Sequence, residues 1–273
     1  MGLFRDSWRS VDRQIRPVLI LVPAVVLVLS FWLGPEWRQL LIIGLLLITL
    51  VVLYLVHDHR HRQVERVALR EYHQVESLLG LYRHLDPPFS FRGLRQYAAS
   101  PDMLLAVLQT IERYQPKVIV ELGSGSSTKM IDAYLRQMGS SARFYSVEHD
   151  EHYLEQTREQ LPAGSTHLVH CPLKDIVLEG KTYTWYDLAG LRLEGRIDLL
   201  IVDGPPEQLN DQARFPAYPL FRDHLSEQAI IVMDDAARPD EQRIIDRWMA
   251  HGSFRREDLP AEKGLTILYR RPS

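Results

Sequence analysis

The sequence predicts an α/β domain built on a mostly parallel sheet with helices on both faces, preceded by two apolar helices and an amphipathic connecting helix. Two uncharged apolar runs, residues 17–34 and 40–56, lie near the N-terminus. From residue 89 onward, apolar runs of strand length alternate with longer segments, a spacing typical of parallel strands joined by crossovers. Only five residues, 260–264, separate the last two runs, which are therefore predicted to pair antiparallel.

Composition excludes several classes of protein. The 273 residues are 46% hydrophobic and 25% charged, a mixture that forms a core rather than a disordered chain. A single cysteine, Cys171, excludes a disulfide scaffold and fits a reducing compartment. The net charge of −3 gives no electrostatic reason to expect a nucleic-acid partner, so none is predicted.

The two apolar runs predict a transmembrane hairpin over residues 1–56, with a turn at residues 35–39. A hydrocarbon core about 30 Å thick takes roughly 17–25 helical residues, and neither run shows the polar face of a soluble helix. A pair of buried core helices and a cleaved signal peptide are the alternatives. Arginines flank the hairpin on the side away from the turn: Arg5, Arg9, Arg13, Arg16, Arg60, Arg62, Arg66 and Arg70. Positive flanks stay in the cytoplasm, so we expect a multi-pass protein of the inner (cytoplasmic) membrane with both termini cytosolic.

Residues 57–88 are predicted to form the connecting helix. Apolar residues recur there at three- and four-residue spacing: Val64, Val67, Ala68, Val75, Leu78, Leu79, Tyr82 and Leu85. This face is expected to dock on the following domain. The alternative is a short coiled coil that joins two copies through residues 58–85. Asp86-Pro87-Pro88 is expected to end the helix.

Residues 89–273 are predicted to form one domain. A helix is expected to begin at Pro101, with Ser100 as its N-cap and proline at its first position. The predicted strands are Val118–Leu122, Arg143–Glu148, Thr166–His170, Asp198–Asp203, Ala229–Asp234, Phe254–Leu259 and Leu265–Arg270. The aromatic segment 183–187 before the fourth strand either packs as an aromatic edge or lines an acceptor pocket.

Polar residues collect where these strands end, which is the edge at which parallel sheets bind ligands. The first strand leads into Glu121 and two closely spaced glycines, Gly123 and Gly125. Such glycines let the backbone pass tightly beside a ligand and start a helix beneath it. Thr128 stands where a dinucleotide fingerprint would have its third glycine, and Glu121 would repel a pyrophosphate. The turn therefore favours a cationic or hydrogen-bond-donating ligand.

Three further strands end in acids. Glu148 closes the second strand, 27 residues after Glu121, where an acid can accept both hydroxyls of a ribose. Asp203 closes the fourth strand before a Gly-Pro-Pro turn, and the fifth ends in Asp234-Asp235. These acids lie at the same edge of the predicted sheet, so they are candidates for one site.

In this order and spacing, E-L-G-S-G-S-S-T, V-E-H-D, I-V-D-G-P-P and V-M-D-D resemble the class I S-adenosylmethionine-dependent methyltransferases over about residues 90–273. Within that family the chain is similar to the catechol O-methyltransferase-like group. The resemblance implies a Rossmann-like seven-stranded sheet with the last strand antiparallel, and S-adenosylmethionine as cofactor. The cofactor-binding residues that it implies are Glu121, Gly123, Ser124, Gly125, Glu148, His149, Cys171, Leu173 and Asp203.

In that group, acids after the fourth and fifth strands hold Mg²⁺, and the resemblance carries this role to Asp203, Asp234 and Asp235. The group usually has an amide at the third of these positions, and it has a lysine base where this chain has Pro206. Asp203 is therefore the candidate catalytic base. Two simpler roles stay open, namely Asp235 as the cap of the helix that starts near residue 239, and Asp203 as the support of a backbone turn.

We therefore expect a membrane-anchored methyltransferase that methylates oxygen on a small-molecule or lipid-linked acceptor at the cytosolic side. A nicotinamide-dependent oxidoreductase is one alternative, and Thr128 and Glu121 argue against it. A catalytically silent membrane scaffold with a methyltransferase-like binding domain is the other alternative.

Overall fold

The computed structural model describes residues 34–86, 94, 99–164 and 166–271. The chain divides into two compact units, Met1–Leu69 and Arg70–Ser273. Of the first predicted membrane span, residues 17–33 lie outside the described residues, so the hairpin is not confirmed.

The first described helix, α1 (Pro35–His84), is 50 residues long, and it corrects one prediction. The turn predicted at residues 35–39 is helical, because proline is tolerated at the first helical position, where its missing N–H has no helical acceptor. No break separates the apolar run from the connecting segment. Within the described residues, α1 is the one helix long and apolar enough to cross a membrane, and none of its most apolar 18-residue window is buried.

The last turns of α1 belong to the second unit and pack against its core. Gln74, Ser77 and Leu81 are buried on one face of the helix. Gly80 lies against Leu105. A Cβ added at Gly80 would lie only 2.8 Å from Cδ2 of Leu105. The end of the helix therefore docks on the domain, but not through the predicted face: Leu85 is buried and Leu78 partly buried, whereas Val64, Val75, Leu79 and Tyr82 are exposed. The helix ends two residues before Asp86, as the Asp-Pro-Pro breaker predicts.

The second unit is an α/β domain. Its helices are α2 (Pro101–Tyr114), α3 (Ser126–Gln137), α4 (Glu151–Glu159), α5 (Ala217–Phe221) and α6 (Pro239–His251). Its strands are β1 (Val118–Leu122), β2 (Arg143–Glu148), β3 (His167–His170), β4 (Leu173–Leu178), β5 (Lys181–Tyr186), β6 (Ile197–Val202), β7 (Leu225–Asp234), β8 (Phe254–Leu259) and β9 (Leu265–Arg270). Four of the seven predicted strands have the predicted bounds, and the other three are shifted or extended by one to four residues.

Seven strands form one sheet in the order β3-β2-β1-β6-β7-β9-β8. Strand β9 is antiparallel to both of its neighbours, and the other pairs are parallel, as predicted. Side chains of β1 alternate between two buried clusters: Val118 and Val120 belong to one, and Ile119 belongs to the other. The sheet is therefore covered on both faces, which explains its continuous apolar strands.

The β4–β5 hairpin was not predicted from the sequence. Its turn has Glu179 at φ 49° and Gly180 at φ 75°, the left-handed pair that matches the twist of a two-residue hairpin. Tyr183, Trp185 and Tyr186 of β5 are buried in the core. The aromatic segment therefore packs as an aromatic edge, the first of its two predicted roles.

Candidate active site

The candidate site lies at the carboxyl ends of the central strands. Strand β1 is hydrogen-bonded to β2 on one side and to β6 on the other, so the strand order reverses between β1 and β6. Ligands of doubly wound sheets bind in the crevice at such a point. The predicted site residues at the ends of β1, β2, β6 and β7 all lie at this edge.

Gly123 and Gly125 shape the turn after β1 in different ways. Gly123 has φ +101°, and a Cβ there would lie 3.1 Å from the carbonyl oxygen of Asp203, so the position requires glycine. A Cβ at Gly125 would meet no atom within 4 Å. The turn therefore joins the ends of β1 and β6 on one side and leaves open space at Gly125, as a ligand-binding turn requires.

The side chain of Glu121 is fully buried beneath this turn. Its Oε2 accepts hydrogen bonds from Thr128 Oγ1 at 2.5 Å and from Ser146 Oγ at 2.7 Å. Thr128 Oγ1 in turn accepts from the Gly125 N–H at 2.9 Å. Oε1 of Glu121 has no partner with hydrogen-bonding geometry among the described residues, and burial raises the pKa of this carboxyl. Glu121 and Thr128 thus support the glycine turn from below.

Glu148 lies at the end of β2 with its carboxylate held by backbone donors. Oε2 accepts from Ser124 N at 2.9 Å, and Oε1 accepts from His149 N at 2.8 Å and Asp150 N at 2.9 Å. Burial alone would raise the pKa of Glu148. The hydrogen bonds and the nearby His149, whose Nδ1 lies 2.8 Å from Oε1, have the larger combined effect, so the pKa is lowered. The same contact raises the pKa of His149. Glu148 is therefore ionised at neutral pH, as an acceptor of ribose hydroxyls must be.

Cys171 and Leu173 follow β3, and the backbone of Cys171 contacts Glu148. Cys171 N donates to the Glu148 carbonyl oxygen at 2.8 Å, and Leu173 is the partly buried first residue of β4. Burial, with the charge of Asp187, raises the pKa of the Cys171 thiol to about 11. The thiol is protonated at neutral pH and has the character of a small buried apolar group rather than of a nucleophile.

Asp203, Asp234 and Asp235 form an acid cluster at the ends of β6 and β7. One carboxylate oxygen from each lies within 4.8 Å of the others. Burial and the Asp234 charge raise the pKa of Asp203 well above its usual value, and burial with the Asp235 charge raises that of Asp234. Asp235 has a left-handed backbone (φ 58°), and its side chain does not cap α6, so the capping role is not observed.

Arg214, which was not predicted from the sequence, lies among these acids with 4% of its side chain exposed. Its Nη2 donates to Asp235 Oδ2 at 2.7 Å and to Asp203 Oδ1 at 3.4 Å, and Nη1 donates to the Asp234 carbonyl oxygen at 2.9 Å. Burial opposes the charge of Arg214, but the carboxylates outweigh it and hold its pKa above the usual value. The signal in the sequence was an arginine inside the apolar segment A-R-F-P-A.

Further charged residues surround the acid cluster. Arg238 Nη1 lies 3.0 Å from Asp235 Oδ2, and Lys263 Nζ lies 4.0 Å from Asp235 Oδ1. Glu241 is 2% exposed, and its Oε1 lies 3.9 Å from Arg214 Nε. Four acids therefore face three basic side chains at the cluster, which leaves one excess negative charge when every group is ionised.

The residues at the cluster fit a divalent cation. Both carboxylate oxygens of Asp234 and Oδ1 of Asp235 are buried and lack a hydrogen-bond partner in the part of the chain that the structure describes. Buried charged oxygens require a partner, and carboxylate oxygens are the ligands that Mg²⁺ and Ca²⁺ prefer. The excess negative charge favours the same conclusion.

The Tyr186 hydroxyl gives a first testable expectation. It is buried without a hydrogen-bond partner among the described residues, and it lies against Gly204, where a Cβ would collide with it. An unpaired buried hydroxyl destabilises a fold by about 1–3 kcal/mol. We expect Tyr186→Phe to raise the free energy of unfolding by about 1 kcal/mol.

Chemical denaturation measures this change, and Tyr145→Phe is the matched control. The Tyr145 hydroxyl accepts a hydrogen bond from Glu194 N at 3.2 Å, so its removal is expected to lower stability. A loss of stability in Tyr186→Phe equal to that in Tyr145→Phe would show that the Tyr186 hydroxyl has a partner.

Comparison with known proteins agrees with this geometry. Residues 120–236 match a family model described as a methyltransferase domain. The SAH-bound methyltransferase PaMTH1 of Podospora anserina is 18% identical with a TM-score of 0.50, over 72% of this chain and 87% of that one. A putative O-methyltransferase from Klebsiella pneumoniae is 15% identical (TM-score 0.49, over 75% and 96%). The SAH complex of a Bacillus cereus O-methyltransferase is 12% identical (TM-score 0.48, over 74% and 97%). No curated protein matches the chain.

The fold and the matched model agree on the kind of domain that this part of the chain forms. The chain contains a methyltransferase domain on a seven-stranded Rossmann-like sheet. At these identities the likeness to the solved structures concerns the fold alone.

Proposed function

We propose that the chain transfers the methyl group of S-adenosylmethionine to an oxygen of a small-molecule or lipid-linked acceptor on the cytosolic side of a membrane. The observation that carries the proposal is the ionised Glu148 carboxylate beside the open glycine turn. A carboxylate at the end of β2 accepts ribose hydroxyls, and the space at Gly125 admits a ligand against the backbone. O-methyltransferases among the solved structures of this fold support oxygen as the acceptor atom.

The cofactor is proposed to lie across the ends of β1 and β2. Glu148 and His149 would hold its ribose, and the segment at Cys171 and Leu173 would flank its adenine. The turn after β1 would hold the methionine part, with Gly123, Ser124 and Gly125 in contact with it and Glu121 beneath. Asp203, at the end of β6, would face the sulfonium end. The negative charge of these acids suits a cationic cofactor.

The transfer itself requires positioning and removal of one proton. The sulfonium methyl carbon is electrophilic, so the acceptor oxygen forms a bond to it while the carbon–sulfur bond breaks, and S-adenosylhomocysteine leaves. Without a bound cation, the acceptor proton would pass to the carboxylate of Asp203, whose raised pKa makes it a better base. With Mg²⁺ held by Asp203, Asp234 and Asp235, the ion would instead lower the pKa of the acceptor hydroxyl, and Asp203 would serve as a ligand rather than as the base.

Membrane anchoring is the second part of the proposal. The exposed apolar segment of α1 supports it, because an apolar surface of this size is unfavourable in water. With the run at residues 17–34, it would form a two-span anchor with both termini in the cytosol, as the flanking arginines favour. The anchor would keep the site within reach of lipid-linked acceptors.

Calorimetric titration of the full-length protein in lipid nanodiscs tests the cofactor. We expect S-adenosylmethionine and S-adenosylhomocysteine to bind with a Kd in the micromolar range, and NAD⁺ to show no binding. Tight binding of NAD⁺ would point to an oxidoreductase. Binding of neither compound would contradict the proposal and favour a silent scaffold.

The same preparation tests the cation. Mn²⁺, a spectroscopic substitute for Mg²⁺, is expected to bind the wild type and to bind Asp234→Asn at least tenfold more weakly, because a carboxylate ligand is lost. Asp240→Asn, an acid on the exposed side of α6, is the control. Equal Mn²⁺ binding in wild type and Asp234→Asn would remove the cation from the proposal and leave Asp203 as the base alone.

A further inference from the structure

A buried carboxylate outside the site, Asp102 at the start of α2, connects α1 with the segment that precedes β9. Asp102 is 7% exposed. Its Oδ2 accepts from Gln74 Nε2 of α1 at 2.5 Å and from Glu262 N at 2.6 Å, a residue 160 positions later in the chain. Its Oδ1 accepts from Ser100 Oγ and from Met103 N at 2.9 Å. The two oxygens therefore have separate roles, Oδ1 within α2 and Oδ2 between distant segments.

Glu262 belongs to the 260–264 segment, which rests on the turn after the acid cluster. Ala236 N donates to the Gly264 carbonyl oxygen at 3.0 Å, and Ala237 N donates to the Lys263 carbonyl oxygen at 2.9 Å. Gly264 has φ +76°, and a Cβ there would collide with Ala237 N, so the two backbones are in direct contact. The 260–264 segment thus fixes the backbone immediately after Asp235.

The turn needs this support because of its own conformation. Asp235 adopts φ 58°, a left-handed backbone that is uncommon outside glycine, although aspartate enters it more readily than most residues. Its neighbour Asp234 carries two buried oxygens without a partner among the described residues. The direction of both carboxylates therefore depends on the backbone at residues 235–237.

We propose that Asp102 is a positioning residue of the acid cluster. Its Oδ2 holds the Glu262 N–H, the 260–264 segment holds the turn at residues 235–237, and the turn aims Asp234 and Asp235. Because the same oxygen accepts from Gln74, the docking of the end of α1 is coupled to the geometry of the cluster. The role of the cluster in methyl transfer rests on the proposed function. The coupling between the end of α1 and the cluster does not depend on that function.

Hydrogen exchange of the full-length protein in nanodiscs tests the coupling without any ligand. In Asp102→Asn, one carboxylate oxygen is replaced by an amide N–H₂ group that cannot accept a hydrogen bond. We expect the amides of residues 236, 237 and 264 to exchange about tenfold faster, the effect of losing roughly one hydrogen bond. Gln74→Ala keeps Asp102 and its other three hydrogen bonds, and it is expected to accelerate the same amides by a smaller factor.

Gln137→Ala is the matched control. The Gln137 side chain also joins the end of α1 to the domain, since it donates to the His84 carbonyl oxygen at 3.0 Å and accepts from Asp86 N at 2.9 Å. Among the described residues, these hydrogen bonds of Gln137 lead to the end of α1 and not to the 260–264 segment, so their loss is expected to leave exchange at residues 236 and 237 unchanged.

A positioning role also predicts how turnover changes. If the proposed function holds, Asp102→Asn is expected to lower kcat and leave the KM for S-adenosylmethionine unchanged, because Asp234 and Asp235 are not among the residues proposed to bind the cofactor. Unchanged exchange at residues 236 and 237, or equal acceleration in Gln137→Ala, would overturn the coupling. Accelerated exchange in a protein that binds no S-adenosylmethionine would preserve the coupling and refute the proposed function.

Discussion

Arg214→Met is expected to lower the free energy of unfolding by about 3–5 kcal/mol at neutral pH, the usual effect of removing one partner from a buried charge network. Methionine fills much of the volume of the arginine stem, so the loss is mainly electrostatic. The guanidinium donates to Asp235 and Asp203 and lies near Glu241. Without it, four acids would face two basic side chains.

The loss is expected to depend on pH in a definite direction. The pKa values of Asp203 and Asp234 in the folded protein lie above those of unfolded aspartates. At a pH between the unfolded and the folded pKa of each group, the folded state therefore binds more protons than the unfolded state. Stability from these groups is fully present below the unfolded pKa and is lost as pH rises through the folded pKa. Removing the positive charge of Arg214 raises the folded-state pKa of Asp203 and of Asp234 further. The variant is therefore expected to recover stability when the pH falls from 7 to 5.

Urea denaturation at pH 7 and pH 5 measures both effects, with Arg243→Met as the control. Arg243 pairs with Asp240 and Asp211 at the surface, where its side chain is 53% exposed. Exposed ion pairs contribute about 0–1 kcal/mol, so little change is expected. An Arg214→Met protein as stable as Arg243→Met at pH 7 would show that Arg214 does not hold the acids together.

Glu148→Gln is expected to weaken the binding of S-adenosylmethionine about 10- to 150-fold, the range for losing a hydrogen bond to a charged group. Glutamine preserves the shape of the side chain. Its amide N–H₂ group, however, would face a backbone N–H, from Ser124 on one side or from His149 and Asp150 on the other. The variant would lose an acceptor for the ribose and disturb the turn that holds it.

Titration calorimetry measures this loss, and Glu159→Gln, an exposed acid at the end of α4, is the control. Thermal unfolding of the unliganded variant separates the two contributions, because a disturbed turn lowers stability before any ligand is added. Wild-type affinity in Glu148→Gln would exclude the proposed ribose contact.

The sequence could predict the strand ends of the site because each one follows an apolar run. Glu121, Glu148 and Asp203 come within one residue of the end of a buried strand, and parallel strands bring such ends to one edge. The antiparallel pairing of β8 and β9 also followed from the five-residue connection between them.

Local patterns could not predict the partners that complete the site. Arg214 lies in a connection between β6 and α5, and its place among the acids depends on tertiary packing. Gln74, Asp102 and Glu262 meet only in the folded domain, across separations of 28 and 160 residues. The β4–β5 hairpin did have a local signal, the Glu179-Gly180 turn, which the sequence analysis did not use.

The pairing of β1 with β6 has a consequence for how the enzyme matures. Ile119 pairs with Leu199, 80 residues later in the chain, and the glycine turn touches Asp203 across this junction. Contacts between such distant segments form late and slowly in folding. A nascent or partly folded chain that contains only β1 to β3 would therefore have the glycines and Glu148 but no closed crevice. The cofactor is expected to recognise the chain only after β6 has joined the sheet.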